Sequence, residues 1–345
     1  MPNGILIHAL LSNPEKYIVI DVRTPAEFAK GHLPNAMNIP IFTNEERIEV
    51  GTLYVQQGRT IAIKQGLDFV GPKMRSFIEN VEQLMEESAT KEILVYCWRG
   101  GMRSGSMAWL FEMYGFSVTV LKGGYKAFRR FTLQILEQPF PFIILGGYTG
   151  SGKTHILQQL HQHGESVIDL EKLAGHKGSA FGWLGEPYQP TQEHFDNTLT
   201  LELLRCAKAK RIWLEDESRR IGSVNIPMCI WNRMRESPLL VANITKEQRI
   251  LNLLNDYDSF TTDELMDSLV RLRERLGGAA SKEAEDALVK RNLRRVVEIT
   301  LVYYDKFYRR SMEQRENSRV FTVDLQSGQH DVNAEEIIQF ANTKI

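Results

Sequence analysis

The sequence has few cysteines and no long hydrophobic run. Cys97, Cys206 and Cys229 form no CxxC pair and lack the His/Cys spacing that zinc requires, which fits a reducing compartment. No segment approaches the roughly 18 consecutive apolar residues of a membrane span, and no basic segment followed by a long apolar core opens the chain. We therefore expect a soluble, cytoplasmic protein with no membrane partner.

Neither sign of charge dominates the composition. The 42 Lys and Arg residues nearly balance the 43 Asp and Glu residues, and the formal net charge is −1. This balance excludes a uniformly basic nucleic-acid coat but permits local basic surfaces. The sequence also lacks internal repeats and low-complexity segments. Its 345 residues are enough for two domains, each with its own core.

The hydrophobic pattern divides the chain into two α/β segments. From Tyr17 to Phe128, short apolar strands such as YIVIDV and EILVYC alternate with helical stretches, which predicts an open sheet. The prolines of LEQPFP then interrupt the helical pattern, and a second series begins with the strand FIIL. We predict domains at 1–136 and 137–345, the second with a helical, basic extension beyond Asn255.

A single thiol follows a predicted strand in the segment YCWRGGMRSG, residues 96–105. The predicted helix Ser104–Tyr114 would direct backbone N–H groups and a positive dipole at the sulfur, and such surroundings lower a cysteine pKa from about 8.5 to roughly 3.5–7.5. Most free cysteines are small buried hydrophobes, as we interpret Cys206 and Cys229, but packing alone does not call for two arginines, two glycines and a serine beside a thiol. We therefore predict an oxyanion-binding catalytic loop. Its residues are Cys97, Arg99, Gly100, Gly101 and Arg103.

A Walker A pattern, GGYTGSGKT, lies directly after the strand FIIL and before the helical segment HILQQLHQH. Its backbone N–H groups can surround a diphosphate, Lys153 can neutralise the charge, and the Thr154 hydroxyl can hold Mg²⁺. A chance glycine-rich turn does not explain why strand and helix both fall where phosphate binding needs them. The predicted phosphate-binding residues are Gly147, Gly150, Ser151, Gly152, Lys153, Thr154 and Asp169, with Thr154 also the candidate metal ligand.

Two further segments place polar side chains after predicted strands. RIWLEDES predicts a strand that ends in Glu215, Asp216 and Glu217, where a carboxylate could hold a metal-bound water; an exposed acidic turn is the alternative. VIDLEKLAGHKGSAFG places Asp169 after a strand and His176, Lys177 and Ser179 in a glycine-rich loop that could contact phosphate or substrate. A lone histidine, however, is more often structural.

The segment IDVRTPAEFAKGHLPNAMNIP, residues 20–40, resembles the amino-terminal signature of the rhodanese family, and VLKGGYKAFR resembles its closing segment. The resemblance covers about the first 130 residues, with residues 41–74 as an added stretch. It implies that Asp21, Arg23, Glu27 and His32 brace loops rather than react.

The spacing of the cysteine loop departs from the rhodanese pattern. Rhodanese loops place an arginine five residues after the cysteine, whereas Arg103 lies six residues after Cys97. This C-x5-R spacing is that of cysteine phosphatases and arsenate reductases. The larger ring predicts a tetrahedral guest such as phosphate, or a chalcogen carried on phosphate.

The order of EVGTLYVQQGR, CWRGGMRS, GGYTGSGKT and AGHKGSAFG resembles the tRNA 2-selenouridine synthase family over nearly the whole chain. This resemblance implies an enzyme that converts wobble 2-thiouridine of tRNA to 2-selenouridine through an S-geranylated intermediate. Geranyl diphosphate and selenophosphate would be substrates, a selenophosphate supplier would be a partner, and no tightly bound organic cofactor is expected. The P-loop would stabilise the departing diphosphate, and Cys97 would handle the selenium donor or carry the selenium atom. We favour a monomer.

A basic helical segment could bind such an RNA. Its arginines and lysines lie at spacings that bring several onto one face, and three tyrosines follow that could stack on unpaired bases. The residues alone favour a solvated helix whose tyrosines pack inward, and the family resemblance favours the RNA surface. The candidate residues are Lys290, Arg291, Arg294 and Arg295, followed by Tyr303, Tyr304 and Tyr308.

Two other functions fit parts of the pattern. A cysteine phosphatase or arsenate reductase-like enzyme fused to a nucleotide-binding domain would also use C-x5-R. A nucleotide-gated binding protein could use Cys97 as an oxidation sensor. Aryl phosphatase activity without tRNA would favour the first, and ATP-dependent partner capture that survives Cys97→Ser would favour the second. Neither function explains the order of all four motifs.

Overall fold

A computed structural model describes residues 3–186, 188–325 and 329–345. The chain divides into two compact units. The first comprises Met1–Ile135 with Asp196–Thr198, and the second comprises Leu136–Phe195 with Leu199–Ile345.

A parallel sheet forms the centre of the first unit. Its strands are β1 (Asn3–Ile5), β2 (Tyr17–Asp21), β3 (Met37–Asn38), β4 (Glu92–Tyr96) and β5 (Ser117–Leu121). They lie in the order β1-β5-β4-β2-β3, and each neighbouring pair is parallel. Ile93, Leu94 and Val95 of β4 are fully buried, as a strand covered on both faces requires. The predicted open α/β sheet is confirmed.

Helices cover this sheet and connect its strands. They are α1 (Ile7–Ser12), α2 (Pro25–Lys30), α3 (Asn44–Gln57), α4 (Arg59–Val70), α5 (Met74–Glu87), α6 (Met102–Tyr114) and α7 (Gly124–Leu136). The stretch added relative to rhodaneses contains α3 and α4. A capping box between Thr43 and Glu46 fixes the start of α3. Helix α6 begins two residues before the predicted Ser104, closer to the cysteine.

The second unit has its own parallel sheet. Its strands are β6 (Phe142–Gly146), β7 (Ser166–Val167), β8 (Ile212–Glu215), β11 (Leu239–Asn243) and β12 (Val320–Asp324), and an antiparallel pair is formed by β9 (Arg220–Ile221) and β10 (Val224–Asn225). The sheet order is β12-β11-β6-β8-β7. Because β6, β8 and β7 are parallel neighbours, the loops that follow them meet at one edge, where ligands bind in open α/β sheets.

The remaining helices follow β6 in the chain. They are α8 (Lys153–Gln162), α9 (Leu170–Ala174), α10 (Gln192–Arg205), α11 (Met228–Glu236), α12 (Lys246–Tyr257), α13 (Thr262–Leu276), α14 (Gly278–Val289), α15 (Leu293–Glu313) and α16 (His330–Lys344). Leu265, Leu269 and Leu288 join the helical extension in a core of its own. In the part of the chain that the structure describes, no helix is both long and apolar enough to cross a membrane.

Candidate functional site

Cys97 lies directly after β4, at the carboxyl end of a central strand, and α6 begins at Met102. Its side chain is buried, with 3% exposure, and its sulfur lies 3.2 Å from the hydroxyl of Ser104. Burial opposes ionisation, but the Ser104 hydroxyl, the backbone N–H groups of Ser104 and Gly101, and the charge of Arg103 together lower the pKa of Cys97. The loop therefore stabilises a thiolate, which is the nucleophilic form.

The two arginines of the cysteine loop have different surroundings. Arg103 Nη1 lies 2.6 Å from Glu27 Oε2, and Arg103 Nη2 donates to Glu27 Oε1 at 3.2 Å. Burial raises the pKa of Glu27, but the hydrogen bonds and charge of Arg103 lower it overall. Arg99 is exposed and has no hydrogen bond to another described residue. An oxyanion bound next to the sulfur must therefore share the guanidinium of Arg103 with Glu27, or accept hydrogen bonds from Arg99 instead.

The first residues of α7 hold the cysteine loop in place. The backbone N–H of Tyr125 donates to the Cys97 carbonyl at 2.9 Å, and that of Lys126 donates to the Trp98 carbonyl at 2.9 Å. Gly124 has φ of 56°, and a Cβ there would collide with the Cys97 carbonyl and lie 2.6 Å from the Gly100 nitrogen. Gly100 and Gly124 therefore bring two backbone segments together more closely than side chains would permit.

A buried ion pair supports the same region. Arg23 Nη2 lies 2.6 Å from Asp21 Oδ2 and donates to the Gly31 carbonyl at 2.7 Å. The guanidinium lies 3.9 Å from the ring centroid of Tyr125, the residue that binds the Cys97 carbonyl. The ring of Tyr125 therefore separates the Arg23–Asp21 ion pair from the cysteine loop. Removing one partner of such a buried pair would be strongly destabilising.

The predicted P-loop connects β6 to α8. At Gly150 φ is 82°, and a Cβ would lie 2.7 Å from the Arg249 carbonyl, so the position requires glycine. Lys153 Nζ donates to the Gly147 carbonyl at 3.0 Å. Ser151 is 1% exposed, and its hydroxyl has no hydrogen-bond partner within the described residues. A phosphate oxygen in the loop would satisfy such a hydroxyl, so the residues fit a bound diphosphate.

Side chains from two distant helices hold the P-loop backbone. Arg249 Nε, on α12, donates to the Thr149 carbonyl at 2.8 Å, and Arg249 also pairs with Asp305 of α15. Asn252 donates to the Gly150 carbonyl at 2.9 Å. The Tyr308 hydroxyl, on α15, accepts the Gly147 N–H at 2.8 Å. The helical extension therefore fixes the shape of the phosphate loop.

Carboxyl groups from β8 and α9 lie next to the P-loop threonine. The Thr154 hydroxyl donates to Glu171 at 3.3 Å. Glu215 accepts the backbone N–H groups of Leu170 at 3.2 Å and Glu171 at 3.3 Å, and Asp169 accepts that of Lys172 at 2.7 Å. Both acids thus cap the start of α9. The strand predicted for this segment is present and ends at Glu215, so Asp216 and Glu217 lie beyond it, and Glu215 is buried rather than part of an exposed turn.

These acids repel one another in a buried setting. Burial raises the pKa of Glu171 above its ordinary value. Burial, together with the charges of Asp169 and Glu171, raises the pKa of Glu215 well above its ordinary value. Burial and the charge of Glu171 likewise raise the pKa of Glu217. Oxygen ligands of this kind suit Mg²⁺, so Thr154 and its acidic neighbours fit that ion, which would add positive charge beside a diphosphate.

The glycine-rich loop after α9 packs against this acidic group. A Cβ at Gly178 would lie 2.7 Å from Glu217 Cδ. Lys177 pairs with Glu186 at 3.2 Å, and His176 Nδ1 accepts the Gly178 N–H at 3.1 Å. The loop thus lies beside the P-loop carboxyls, with its histidine engaged in a local backbone contact.

The predicted RNA-binding arginines are engaged with neighbouring groups. Arg294 pairs with Glu247 at 2.6 Å, and Arg295 pairs with Glu283 at 2.6 Å. Arg291 Nη2 donates to the Phe260 carbonyl at 2.8 Å, whereas Lys290 is exposed with no such partner in the described ranges. A phosphate that binds Arg294 or Arg295 would have to displace a carboxylate, and the RNA-binding role of these residues remains a prediction.

Several residues of the two sites were not among the sequence candidates. Ser104 lies inside the quoted cysteine motif and Gly124 inside the rhodanese closing segment, so local signals existed for both. Arg249 and Asn252 lie about a hundred residues from the P-loop that they contact, and no local pattern marks them. Tyr308 was a candidate for base stacking, but its hydroxyl contacts the P-loop.

The fold and the two loops define a class of protein in which a rhodanese-like thiol domain is joined to a P-loop domain. Residues 7–131 match the rhodanese-like domain, and residues 140–337 match the tRNA 2-selenouridine synthase AAA domain. The chain belongs to the tRNA 2-selenouridine synthase family, a family of tRNA-modifying enzymes.

Full-length relatives agree with this assignment. The chain is 35% identical over 344 residues to a tRNA 2-selenouridine synthase of Bordetella bronchiseptica, across 89% of this chain and 92% of that protein. It is 35% identical over 342 residues to the protein of the same name from Shewanella denitrificans, across 89% and 91%. A third relative of that name, from Marinobacter nauticus, is 36% identical over 296 residues, across 79% and 78%.

Proposed function

We propose that this chain converts wobble 2-thiouridine of tRNA to 2-selenouridine by S-geranylation followed by exchange for selenium. One observation carries the proposal: a chain of this family combines a thiol of lowered pKa with a P-loop whose buried Ser151 hydroxyl lacks a partner among the described residues. The names of the relatives support tRNA as the substrate and selenium as the element introduced. The resemblance to the family implies the two donors, geranyl diphosphate and selenophosphate, and the anion-binding groups of each loop are compatible with them.

The first step uses the P-loop. The sulfur of 2-thiouridine forms a bond to C1 of the geranyl group, the C1–O bond breaks, diphosphate departs, and the N3 proton of the base is released. Lys153 and the loop N–H groups stabilise the charge that develops on the leaving group. Among the described residues, Lys153 Nζ hydrogen-bonds to the Gly147 carbonyl of its own loop and forms no ion pair within 4 Å, so it can turn to an anion without breaking such a pair.

The second step uses the cysteine loop. The Cys97 thiolate attacks the phosphorus of selenophosphate, the P–Se bond breaks, and selenide departs. Selenide then adds to C2 of the geranylated base, geranyl thiol leaves, and water hydrolyses the phosphocysteine. Selenium keeps one oxidation state throughout, so no reductant is needed. The C-x5-R spacing of Cys97 and Arg103, shared with cysteine phosphatases, supports attack on phosphorus.

The same spacing favours a second candidate function, hydrolysis of phosphate monoesters by Cys97 without any RNA. The pairing of Arg103 with Glu27 argues against this alternative, because a phosphatase loop must present its arginine to every substrate and here a carboxylate already occupies the guanidinium. We regard the cysteine phosphatase as the function to be excluded by experiment. An arsenate reductase would share this site and the same test.

The test supplies the purified protein with tRNA that carries 2-thiouridine, adds geranyl diphosphate and then selenophosphate, and follows the nucleosides by mass spectrometry. We expect the geranylated nucleoside first and 2-selenouridine after the second addition. Formation of 2-selenouridine without geranyl diphosphate would contradict the order of steps. Hydrolysis of an aryl phosphate with no change in tRNA would favour the phosphatase.

A further inference from the structure

A group of cationic side chains lies on α15 and at the start of α12, away from the arginines that the sequence singled out. The group lines a cavity of about 460 Å³ together with Val302, Asp305 and Glu313. All of its cationic members are exposed. They are Lys246, Lys306, Arg309 and Arg310, which we call the α15 basic surface.

The charges of the α15 basic surface are available to a ligand. Within residues 3–186, 188–325 and 329–345, none of its members forms an ion pair or a side-chain hydrogen bond. Of the two carboxylates beside them, Asp305 is already paired with Arg249, which leaves Glu313. The cavity therefore has an excess of positive charge without a partner.

The arginines in the first turn of α15 differ in this respect. Arg294 contacts Glu247 at 2.6 Å and Glu298 at 3.3 Å, and Arg295 contacts Glu283 at 2.6 Å. A phosphate there must displace carboxylates, and the gain in electrostatic energy is correspondingly smaller. On one helix, the cations near the carboxyl end are free for a polyanion and those near the amino end are not.

The α15 basic surface also lies on the part of the helix that contacts the P-loop. Lys306 and Arg309 flank Tyr308, whose hydroxyl accepts the Gly147 N–H at 2.8 Å. Asp305, which lines the cavity, holds Arg249, and Arg249 donates to the Thr149 carbonyl at 2.8 Å. A polyanion bound here would therefore lie on the same helix as Tyr308 and Asp305, which connect α15 to the P-loop.

We propose that Lys246, Lys306, Arg309 and Arg310 bind the phosphate backbone of the tRNA substrate. Charge complementarity favours a polyanion over a protein segment, because the surface offers several exposed cations and a single apolar lining residue, Val302. The inference rests on the proposed function, since it assigns a surface to the RNA of that reaction.

The test compares two triple variants that each remove three positive charges from α15 or its preceding turn. One is Lys306→Ala/Arg309→Ala/Arg310→Ala, and the matched control is Arg291→Ala/Arg294→Ala/Arg295→Ala. Binding of an unmodified tRNA transcript to the full chain is measured across salt concentrations. Each lost phosphate contact removes about 0.7–0.9 from the slope of log K against log salt. We expect the first variant to lose about 2 in slope and at least tenfold in affinity at low salt.

The control variant should change the slope and the affinity less, because Arg294 and Arg295 are already paired with carboxylates and Arg291 donates to a backbone carbonyl. Equal or larger losses in the control, or unchanged binding in the first variant, would overturn the proposal. Binding of inorganic diphosphate should be unchanged in the first variant; if it alone falls, the surface belongs to the diphosphate site instead.

Failure of the proposed function has a different signature. If the wild-type chain binds no tRNA, the proposed function and this inference both fail; if it binds tRNA and the first variant binds equally, only the surface is wrong. Should the triple variant fail to fold, as judged by circular dichroism, Arg309→Glu alone serves as the test. Its charge reversal should weaken tRNA binding more than Arg295→Glu, and the reverse order would overturn the proposal.

Discussion

The hydroxyl of Tyr308 accepts a hydrogen bond from the backbone N–H of Gly147 at 2.8 Å, and 161 positions of sequence separate the two residues. Arg249 and Asn252 hold two carbonyls of the same loop. The phosphate loop is thus shaped by side chains of the helical extension as well as by its own glycines. This relationship couples the helices to the predicted chemistry of the P-loop.

Tyr308→Phe should weaken diphosphate binding because the Gly147 N–H loses its acceptor and the loop loses a fixed point. A hydrogen bond of this kind is worth about 1 kcal/mol, so we expect about a fivefold increase in the Kd of inorganic diphosphate, measured by calorimetry. Tyr303→Phe on the same helix is the control, since the Tyr303 hydroxyl has no hydrogen bond to the part of the chain described. Equal effects of the two substitutions would show that the hydrogen bond between Tyr308 and Gly147 does not support diphosphate binding.

The ionisation of Cys97 can be measured through its reactivity. Burial raises the pKa of the thiol, but the Ser104 hydroxyl and neighbouring N–H groups lower it overall, so the thiolate persists to lower pH than in an ordinary cysteine. Burial raises the pKa of Cys206 and Cys229, so the pH midpoint of alkylation by iodoacetamide should be lowest for Cys97.

Ser104→Ala should shift the pH midpoint of Cys97 alkylation upward, since it removes the hydrogen bond at 3.2 Å from the sulfur. Cys97→Ser provides the background rate of the other two thiols. A midpoint that stays in place, or moves downward, would show that the Ser104 hydroxyl does not stabilise the thiolate.

Gly124→Ala should distort the cysteine loop. A Cβ at this position would collide with the Cys97 carbonyl and would lie 2.9 Å from the Arg99 nitrogen, in a backbone conformation that side chains rarely adopt. We expect a loss of about 2–4 kcal/mol in the free energy of unfolding and much slower alkylation of Cys97.

Gly101→Ala is the matched control for that substitution. It lies in the same loop, its φ is −102°, and nothing lies within 4 Å of its Cβ position. It should therefore cost less than about 1 kcal/mol. Similar losses at the two positions would contradict the close-approach explanation.

Glu217→Gln should stabilise the second unit at high pH. Burial and the charge of Glu171 raise the pKa of Glu217, so its ionised form opposes folding as pH rises from the ordinary value towards the raised one. We expect the free energy of unfolding in Mg²⁺-free buffer to increase by about 1 kcal/mol at pH 8 and to change little at pH 4.5. Glu335→Gln, on the exposed face of α16, should change little at either pH. Destabilisation by Glu217→Gln at pH 8 would contradict the prediction.

Much of the fold could be predicted because its signals are local. The strands around YIVIDV, EILVYC and FIIL are contiguous apolar runs, and the glycines of the P-loop follow their strand directly. The pairing of charges could not be predicted in this way. Arg294 meets Glu247 from 47 positions away and Arg103 meets Glu27 from 76 positions away, so composition alone does not tell a free arginine from a neutralised one.

The central claim is that the two loops perform separate steps, and nucleoside mass spectrometry of two variants tests it most directly. Given 2-thiouridine tRNA, geranyl diphosphate and selenophosphate, Cys97→Ser should accumulate the geranylated nucleoside and form no 2-selenouridine. Lys153→Ala should form neither product at an appreciable rate, while Cys97 retains its normal alkylation. If Cys97→Ser yields no geranylated nucleoside, or Lys153→Ala still yields it at the wild-type rate, the division of labour is contradicted.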